Sequence, residues 1–359
     1  MNAFYTIRVA QASLPRLTIA QRVVDKMVRN ALVYDTETGE SLVGFAIKGL
    51  GRSEPDLYVL ETIAPDESAI RRGAYFEQGD DLQGDIFNWW FDNWNEYRKL
   101  RRGSYGNAIG AKWDTPLAHL GDWHKHPGTL IEPSWGDSDT ARNHIFDDAE
   151  GSPQLLAILA TVWDRGRDQA FAASEPGDPL SNLPQPIRVP IDSELVVRLD
   201  AWYMSQHTHR FVRLTPTVVA DRLLPTLPVL GWHLTQPERM RREIDALSTQ
   251  AYAVSVEQYN ADTQPPLEIC LTLARRGGPK VLIVITPADY PATMPAIRTA
   301  PMSVMKDVPE DADLFTTIWK QSEPLSKDIY PGWTWNADHT ILDLVRDVEA
   351  KLAEGSAVK

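Results

Sequence analysis

The sequence predicts an α/β domain followed by a smaller α+β domain. Through the first half of the chain, helical and strand patterns alternate, which is typical of a sheet flanked by helices. The second half contains one helix, a run of three strands and a closing helix, which indicates an α+β arrangement. With 359 residues, the chain is long enough for two domains that each bury a core.

The first helix is predicted over residues 18–32. Thr18 is a candidate N-cap with Gln21 three residues later, as a capping box requires, and apolar residues then recur on one helical face. Apolar runs at 41–47 and 57–64 predict the first two strands.

An aromatic-rich helix is predicted over residues 86–100. Its aromatic residues recur at helical spacing, and such a stripe more often packs in a core than lines a binding groove. They are Phe87, Trp90, Trp94 and Tyr97. A short strand at 118–124 precedes a helix from Ser134 to Phe146. A buried strand follows at 155–163, with a possible partner strand at 169–173.

Proline-rich segments divide the chain. The segment 175–190 is predicted as an internal loop, and the segment 214–228 as the linker between the domains. The predicted domains are therefore residues 1–213 and residues 229–355. In the second domain the predicted elements are helices at 237–250 and 341–352 and strands at 252–258, 267–273 and 281–285.

Composition disfavours several classes of partner. The formal charge of −13 argues against nucleic acid, since phosphate binding needs a concentrated basic surface, and the basic run at 98–102 fits a solvated helix end. No apolar stretch approaches the ~18 residues that a membrane span needs, and the N-terminus lacks a signal-peptide core, so we expect a cytoplasmic protein. The single cysteine, Cys270, fits a reducing compartment and excludes a cysteine-based zinc cluster.

Residues 122–137 carry the strongest chemical signal in the chain. On a strand, His124 and His126 point to the same side, so both can reach one ion. Asp122 shares that side and could orient a histidine. After a proline ends the strand, Asp137 follows at the start of a helix, where a carboxylate is favoured. Two imidazoles, one carboxylate and a fourth position for water form the ligand set of a hydrolytic zinc site.

The pattern H-x-H-P followed by S-x-x-D resembles the JAMM motif of the MPN-plus (JAB) zinc metalloproteases, which cleave ubiquitin and ubiquitin-like modifiers from their conjugates. Residues 120–123 also resemble the strand that leads into the motif in bacterial members. The resemblance, which covers residues 1 to 200, implies the MPN fold, a cytidine-deaminase-like mixed sheet flanked by helices. It further implies one zinc ion held by His124, His126 and Asp137, with Ser134 helping to hold the developing oxyanion.

The same resemblance implies an upstream glutamate that acts as general base on the attacking water and passes the proton to the leaving amine. The family pattern is E-T-x-G-x-L-x-G, and residues 37–44 read E-T-G-E-S-L-V-G. Glu37 fits the pattern, whereas Glu40 stands where a glycine is usual. Glu37 is therefore the predicted base, and Glu40, with the strand slipped by three residues, is the alternative.

The other histidines and one nearby acid are not predicted to bind metal. His207 and His209 form a second H-x-H, but the proline, serine and aspartate of the motif do not follow them at the required spacing. Glu132 has the wrong spacing for a ligand and is expected to be solvated. The remaining histidines are expected to be satisfied core residues: His119, His144, His233 and His339.

The segment Y-P-x-x-x-P at 290–295 follows the predicted three-stranded run. With the closing helix, it resembles the RWD and ubiquitin-conjugating-enzyme fold, in which rigid prolines hold a loop across the end of the sheet. Conjugating enzymes need a reactive cysteine downstream of that loop, and none follows here, since Cys270 lies in an apolar strand where a thiol is inert. The resemblance implies a noncatalytic docking domain for a ubiquitin-like protein, a conjugating or activating enzyme, or the conjugated target.

Together, these resemblances predict a zinc-dependent hydrolase that cleaves the peptide or isopeptide bond after the C-terminal glycine of a ubiquitin-like modifier, in a bacterial conjugation system. Two alternatives stay open. One is a JAMM peptidase that acts on a sulfur-carrier or phage protein. The other is a noncatalytic MPN scaffold, which would result if the glutamate had slipped out of place.

Overall fold

The computed structural model describes residues 14–73, 75–78, 81–104, 112–147, 151–174, 184–278, 280–306 and 313–357. Contacts within the chain divide it into two compact units. The first comprises Met1–Trp94 and Tyr105–Leu227, and the second comprises Asn95–Ser104 and Pro228–Lys359. No helix within the described ranges has both the length and the apolar character that crossing a membrane requires.

A mixed sheet forms the centre of the first unit. In chain order, the strands of this unit are β1 (Leu17–Ala20), β2 (Gly39–Ile47), β3 (Asp56–Ile63), β4 (Ile70–Arg72), β5 (Tyr75–Glu77), β6 (Ala118–Lys125), β7 (Gln154–Asp164), β8 (Ile187–Pro190), β9 (Leu195–Ser205), β10 (Val212–Leu214) and β11 (Pro216–Val219). Among the described residues, nine of them form one sheet in the order β10-β9-β7-β6-β2-β3-β1-β11, with β8 also paired to β9. The strands β4 and β5 form a separate hairpin.

The pairing in this sheet is both parallel and antiparallel. The pairs β6–β7, β1–β3 and β1–β11 are parallel, whereas β2 pairs antiparallel with both β3 and β6. The site described below lies at the end of β6, next to the start of β2. The predicted mixed α/β architecture is therefore confirmed for the described residues.

Helices cover this sheet through their apolar faces. They are α1 (Gln21–Val33), the part of α2 (Asp81–Ser104) that ends at Trp94, α3 (Trp135–Arg142) and α4 (Arg165–Ser174). The helix α1 buries Val23, Met27 and Ala31, which recur at the spacing of four that predicted it. In α2, Trp90 and Trp94 are buried, which confirms core packing for these two of the four predicted aromatic residues, whereas Phe87 and Tyr97 are half-buried.

Two predicted elements near these helices are wrong. Thr18 does not cap α1, because it lies in β1, where it pairs with Tyr58 and Thr217 of the neighbouring strands. Residues 169–173 are not a strand but part of α4. The carboxylate of Asp164 accepts a hydrogen bond from the Arg167 amide at 3.0 Å, and this contact at the end of β7 starts the helix.

The proline-rich segment 214–228 was predicted to be a linker, but its first residues belong to the sheet. Strand β11 (Pro216–Val219) pairs in parallel with β1. Further along, the Asp221 carboxylate accepts a hydrogen bond from the Arg22 amide at 2.9 Å. The boundary between the two units falls at Leu227 and Pro228, at the end of this segment. Residues Pro216–Val219 therefore form a strand, even though the segment is rich in proline.

Gly44 is required by close packing between β2 and β3. A Cβ atom at this position would lie 1.8 Å from the carbonyl oxygen of Tyr58, at the irregularity between Val43 and Gly44. We expect G44A to lower the free energy of unfolding by about 1–3 kcal/mol, measured by urea denaturation.

The matched control for G44A is G84A in α2, where an added Cβ meets nothing within 4 Å. Since alanine suits a helix better than glycine, G84A is expected to be neutral or stabilising by up to about 1 kcal/mol. Equal urea midpoints for the two variants would contradict this account of the β2–β3 contact.

The second unit contains an antiparallel sheet. Its strands are β12 (Tyr252–Tyr259), β13 (Glu268–Arg275), β14 (Lys280–Thr286), β15 (Ala296–Pro301) and β16 (Glu323–Pro324), paired in chain order. The described helices of this unit are α5 (Trp232–Thr235), α6 (Pro237–Thr249), α7 (Leu314–Gln321) and α8 (Ile341–Ala357). The predicted helices, α6 and α8, and the three predicted strands are confirmed, whereas β15, β16, α5 and α7 were not predicted.

A buried carboxylate ties the Tyr290 loop to two helices of this unit. Glu243 of α6 is 1% exposed, and it accepts hydrogen bonds from the Tyr290 hydroxyl at 2.5 Å and from the Ile341 amide at 2.9 Å. Arg239 donates to the same carboxylate at 2.9 Å, so the buried charge is compensated. The loop predicted to lie across the end of the sheet is therefore fastened by polar contacts.

Candidate metal centre

The end of β6 brings two histidine rings together. His124 lies in the strand, and His126 continues its alignment with β7, since its amide donates to the carbonyl oxygen of Ala160 at 2.9 Å. The two Nε2 atoms are 2.9 Å apart. Because the histidines are two residues apart on an extended chain, both rings lie on the same side, as the spacing predicts.

Asp137 reaches the same point from α3. Its Oδ1 lies 3.4 Å from Nε2 of His124, and its Oδ2 lies 3.4 Å from Nε2 of His126. The carboxylate is also part of a capping box: Oδ2 accepts a hydrogen bond from the Ser134 amide at 2.6 Å, and Ser134 Oγ accepts one from the Asp137 amide at 3.1 Å. The cap thus fixes the helix start that presents the third ligand.

These three residues could hold a metal ion. Their ligand atoms all lie within 4.8 Å of one another, and they form the one such group of three or more found in the described part of the chain. A tetrahedral zinc ion bound at the usual distances separates its ligand atoms by roughly 3.3–3.6 Å. The two 3.4 Å separations match that spacing, and the 2.9 Å separation between the imidazoles needs a small opening.

The loop after β6 sets the tautomer of His126. Its Nδ1 lies 3.0 Å from the carbonyl oxygen of Leu130, so Nδ1 carries the proton and Nε2 keeps its lone pair for a ligand bond. Gly128, with φ of 59°, turns the chain so that this carbonyl faces back onto the ring. The contact was not predicted, although the Pro-Gly pair after the motif is a turn signal that could have indicated it.

The charges at this centre suit a bound cation. Burial lowers the pKa of His124, which keeps its ring neutral. Burial acts to raise the pKa of Asp137, but its contacts with His126, His124 and Ser134 hold it well below its usual range, so the carboxylate is ionised. Burial acts to lower the pKa of His126, but its contacts with Asp137, Leu130 and Glu37 raise it overall, so a metal ion that binds here displaces a proton from this ring.

Glu37 lies beside these ligands. It precedes Gly39, which pairs with His124 across the β2–β6 ladder. Burial raises the pKa of Glu37, the charge of His126 lowers it, and the charge of Asp137 raises it again. A carboxylate whose pKa is raised above its usual value is better suited to take up a proton near neutral pH.

Glu40, the alternative base, lies on the opposite face of the sheet. It pairs with Trp123, whereas Gly39 pairs with His124, and adjacent residues of a strand point to opposite sides. Glu40 is 3% exposed, and both oxygens of its carboxylate accept hydrogen bonds from neighbouring side chains. The groups around it are Lys26 Nζ at 3.6 Å, Asn30 Nδ2 at 2.6 Å, Trp123 Nε1 at 3.4 Å and Thr62 Oγ1. Of the two candidates, Glu37 alone lies beside the ligands.

Ser134 is both the N-cap of α3 and a neighbour of the ligand set. The cap uses its hydroxyl oxygen as an acceptor, so the hydroxyl proton stays available to a substrate oxygen. The next residue, Trp135, is 82% exposed. The structural and chemical interpretations of this serine are therefore compatible, as the sequence suggested.

Asp122 lies near the His124 ring, while its hydrogen bonds go to other side chains. Its carboxylate accepts a hydrogen bond from Gln78 Nε2 at 2.7 Å and lies 3.4 Å from Ser41 Oγ and 3.7 Å from His119 Nε2. The Gln78 contact ties Asp122 to the chain that follows β5, and its charge acts to raise the pKa of His124. Asp122 therefore joins two parts of the fold near the site.

The remaining candidates lie outside the metal centre. His209 stacks on Phe146 at 5.4 Å, and neither it nor His207 belongs to a metal-binding group among the described residues. Glu132 is exposed, as expected. The other four histidines are half-buried and not in the core as predicted: His119 and His144 pack against each other at 6.4 Å, His339 stacks on Trp333 at 4.2 Å, and burial lowers the pKa of His233 to about 4.

Comparison of the sequence with family models and curated proteins identified no relative of the chain. A scan against protein-family models found no matching family, and a search of curated proteins found no significantly similar sequence. We therefore infer function from the residues and geometry of the site itself.

Proposed function

We propose that the chain is a zinc-dependent hydrolase of the JAMM type, which cleaves the peptide or isopeptide bond after the C-terminal glycine of a ubiquitin-like modifier in a bacterial conjugation system. The observation that carries the proposal is the convergence of His124, His126 and Asp137 within 4.8 Å. Glu37 and Ser134 beside them supply the two further groups that hydrolysis needs. Three protein ligands leave a coordination position open, which is typical of catalytic rather than structural zinc sites.

The reaction needs a proton acceptor, a hydrogen-bond donor that stabilises the oxyanion, and a polarised carbonyl. When bound, the zinc ion supplies a Lewis acid that polarises the carbonyl and lowers the pKa of water. Glu37 accepts a proton from the attacking water as the new C–O bond forms, and returns that proton to the amine as the C–N bond breaks. Ser134 donates its hydroxyl proton in a hydrogen bond to the carbonyl oxygen as negative charge develops there.

The second unit supports a docking role. Cys270, the single cysteine of the chain, is fully buried in β13, and burial raises the pKa of its thiol to about 12, so it is unsuited to a thioester transfer step. The antiparallel sheet with α6 before it and α8 after it is compatible with an RWD-like or conjugating-enzyme-like fold. We propose that this unit recruits the ubiquitin-like protein, a conjugating or activating enzyme, or the conjugated target.

The test combines metal content with cleavage of model substrates. Purified full-length protein is expected to hold one zinc ion per chain by elemental analysis. It is also expected to release the downstream protein from fusions of bacterial ubiquitin-like proteins, cut after the terminal glycine as read by mass spectrometry. Removing zinc with a chelator should abolish cleavage, and adding zinc back should restore it.

A panel of substrates separates the alternatives. Cleavage confined to sulfur-carrier or phage protein fusions would favour the JAMM peptidase that acts outside conjugation. Protein that holds no zinc and cleaves nothing in the panel would favour the noncatalytic scaffold and contradict the proposal.

A further inference from the structure

Glu37 lies outside the regular strand that follows it. Strand β2 begins at Gly39, and the hydrogen bond from the Lys125 amide to the Thr38 carbonyl oxygen at 2.7 Å extends the contact with β6 as far as Thr38, one residue short of the proposed base. A catalytic group must be kept within about 0.5 Å of its productive position by the groups around it. The β4–β5 hairpin, with residues Ile70–Arg72 and Tyr75–Glu77, supplies such groups.

The hairpin contacts the chain on both sides of the Glu37 side chain. The Glu37 amide donates to the carbonyl oxygen of Arg72 at 3.1 Å, and Arg71 Nε donates to Thr38 Oγ1 at 3.3 Å. The Arg71 guanidinium also lies over the Tyr34 ring, 4.9 Å from its centroid. Thr38 is 3% exposed, so its hydroxyl is held in a packed environment.

The hairpin also packs against the strand pair that carries the ligands. A Cβ atom on Gly39 would lie 2.8 Å from Cε1 of Phe76 and 2.9 Å from Cβ of His124. The Phe76 ring of the hairpin and the His124 side chain therefore both pack closely against the backbone of Gly39.

The other end of the hairpin is fastened to β6. Gln78, directly after β5, donates from Nε2 to Asp122 Oδ1 at 2.7 Å, and Asp122 precedes His124 by two residues on the same strand. Gln83 of α2 donates to Gln78 Oε1 at 3.0 Å and to the Ile63 carbonyl at 2.9 Å. The hairpin is thus fixed to the strand that holds the ligands and contacts the segment that holds the base.

We propose that the β4–β5 hairpin positions Glu37 relative to the metal ligands, and that Arg71 is the positioning residue through which it acts. This inference rests on the proposed function, in which Glu37 is the base. Arg71 touches neither substrate nor ligand in this role. It acts by fixing Thr38 and Tyr34, which flank Glu37 in the chain.

The test uses R71A, T38V and the double variant in the full-length protein. We expect R71A to lower kcat by about 10- to 100-fold, because a displaced base costs that much, while KM and zinc affinity stay within threefold of wild type. T38V removes the acceptor and is expected to lower kcat less. The double variant should be no slower than R71A alone, because both changes break one contact. The control is R29A, an exposed arginine on α1, which should match wild type.

Hydrogen exchange provides a second measurement, which reports on the backbone at Glu37 itself. Hydrogen exchange at the Glu37 amide, which is bonded to the hairpin, is expected to be at least tenfold faster in R71A and unchanged in R29A. Unchanged kcat and exchange in both R71A and T38V would overturn the inference. So would a rise in KM alone, which would assign the hairpin to substrate binding, or a loss of zinc in both variants.

The exchange measurement keeps this inference separate from the proposed function. If wild type cleaves no substrate, the hydrolase proposal fails, but faster exchange in R71A would still show that the hairpin holds the Glu37 segment. If wild type is active and R71A behaves like R29A in both measurements, the positioning role fails and the hydrolase proposal stands.

Discussion

The E37Q variant is expected to lose about 10²- to 10⁴-fold in kcat while keeping its zinc ion. Glutamine has the same shape as glutamate but cannot accept the proton of the attacking water or return it to the amine. Since Glu37 lies beside the ligand set but is not part of it, the affinity for zinc should change little. The measurement is single-turnover cleavage of the model fusion, with zinc content determined on the same samples.

The matched control for this variant is E40Q. The Glu40 carboxylate lies on the other face of the sheet among Lys26, Asn30, Thr62 and Trp123. Replacing it leaves donors without their charged acceptor, so E40Q is expected to lose about 1–3 kcal/mol of stability and to keep both zinc and kcat. An active E37Q, or an inactive and well-folded E40Q, would contradict the assignment of the base.

The H126A variant is expected to lose zinc binding by more than about 100-fold, since even partners behind the ligands contribute 10- to 100-fold to metal affinity. His126 is 3% exposed, and its ring contacts Asp137 and the Leu130 carbonyl. Cleavage activity should be lost together with the metal. Thermal unfolding gives a further readout, because zinc that binds the folded state raises the unfolding temperature of wild type and should not raise that of H126A.

The control for H126A is H207A. His207 belongs to the second H-x-H of the sequence, and it lies outside the metal-binding group of the described residues. H207A should therefore keep the zinc content, the activity and the response of the unfolding temperature to zinc. Equal zinc content in H126A and wild type would contradict the proposed ligand set.

The sequence could identify the three candidate ligands because they lie close together in the chain and their spacing fixes the local geometry. The spacing of His124 and His126 implies one side of a strand, and Ser134 with Asp137 implies a capped helix start. Both local features are present in the structure. The contact between them, at 3.4 Å from each imidazole to the carboxylate, depends only on a short loop, which the sequence also contains.

The base could not be chosen from the sequence, because the choice depends on strand register. Glu37 and Glu40 differ by three positions and therefore face opposite sides of an extended chain. Which side faces the histidines depends on the pairing of Gly39 with His124, a contact between segments about 85 residues apart. The pairing places Glu40 under α1 and Glu37 beside the ligands.

Other features also depended on distant contacts. The hairpin formed by Ile70–Arg72 and Tyr75–Glu77 has strands too short and too polar for a periodic signal, and its place is set by Gln78 and Asp122. Strand β11 (Pro216–Val219) lies in a proline-rich segment and becomes a strand because the edge of β1 is there to pair with.

The sequence by itself determined the α/β character of the first unit, the positions of the helices α1, α2 and α3 and of the four strands β2, β3, β6 and β7, and the three residues that could hold a metal ion. Each of these follows from periodicity, capping or spacing within a short stretch of chain. Only the tertiary structure decided which glutamate lies beside those residues and what holds it there. Strand register and hairpin docking are set by contacts between distant segments, and no local pattern encodes them.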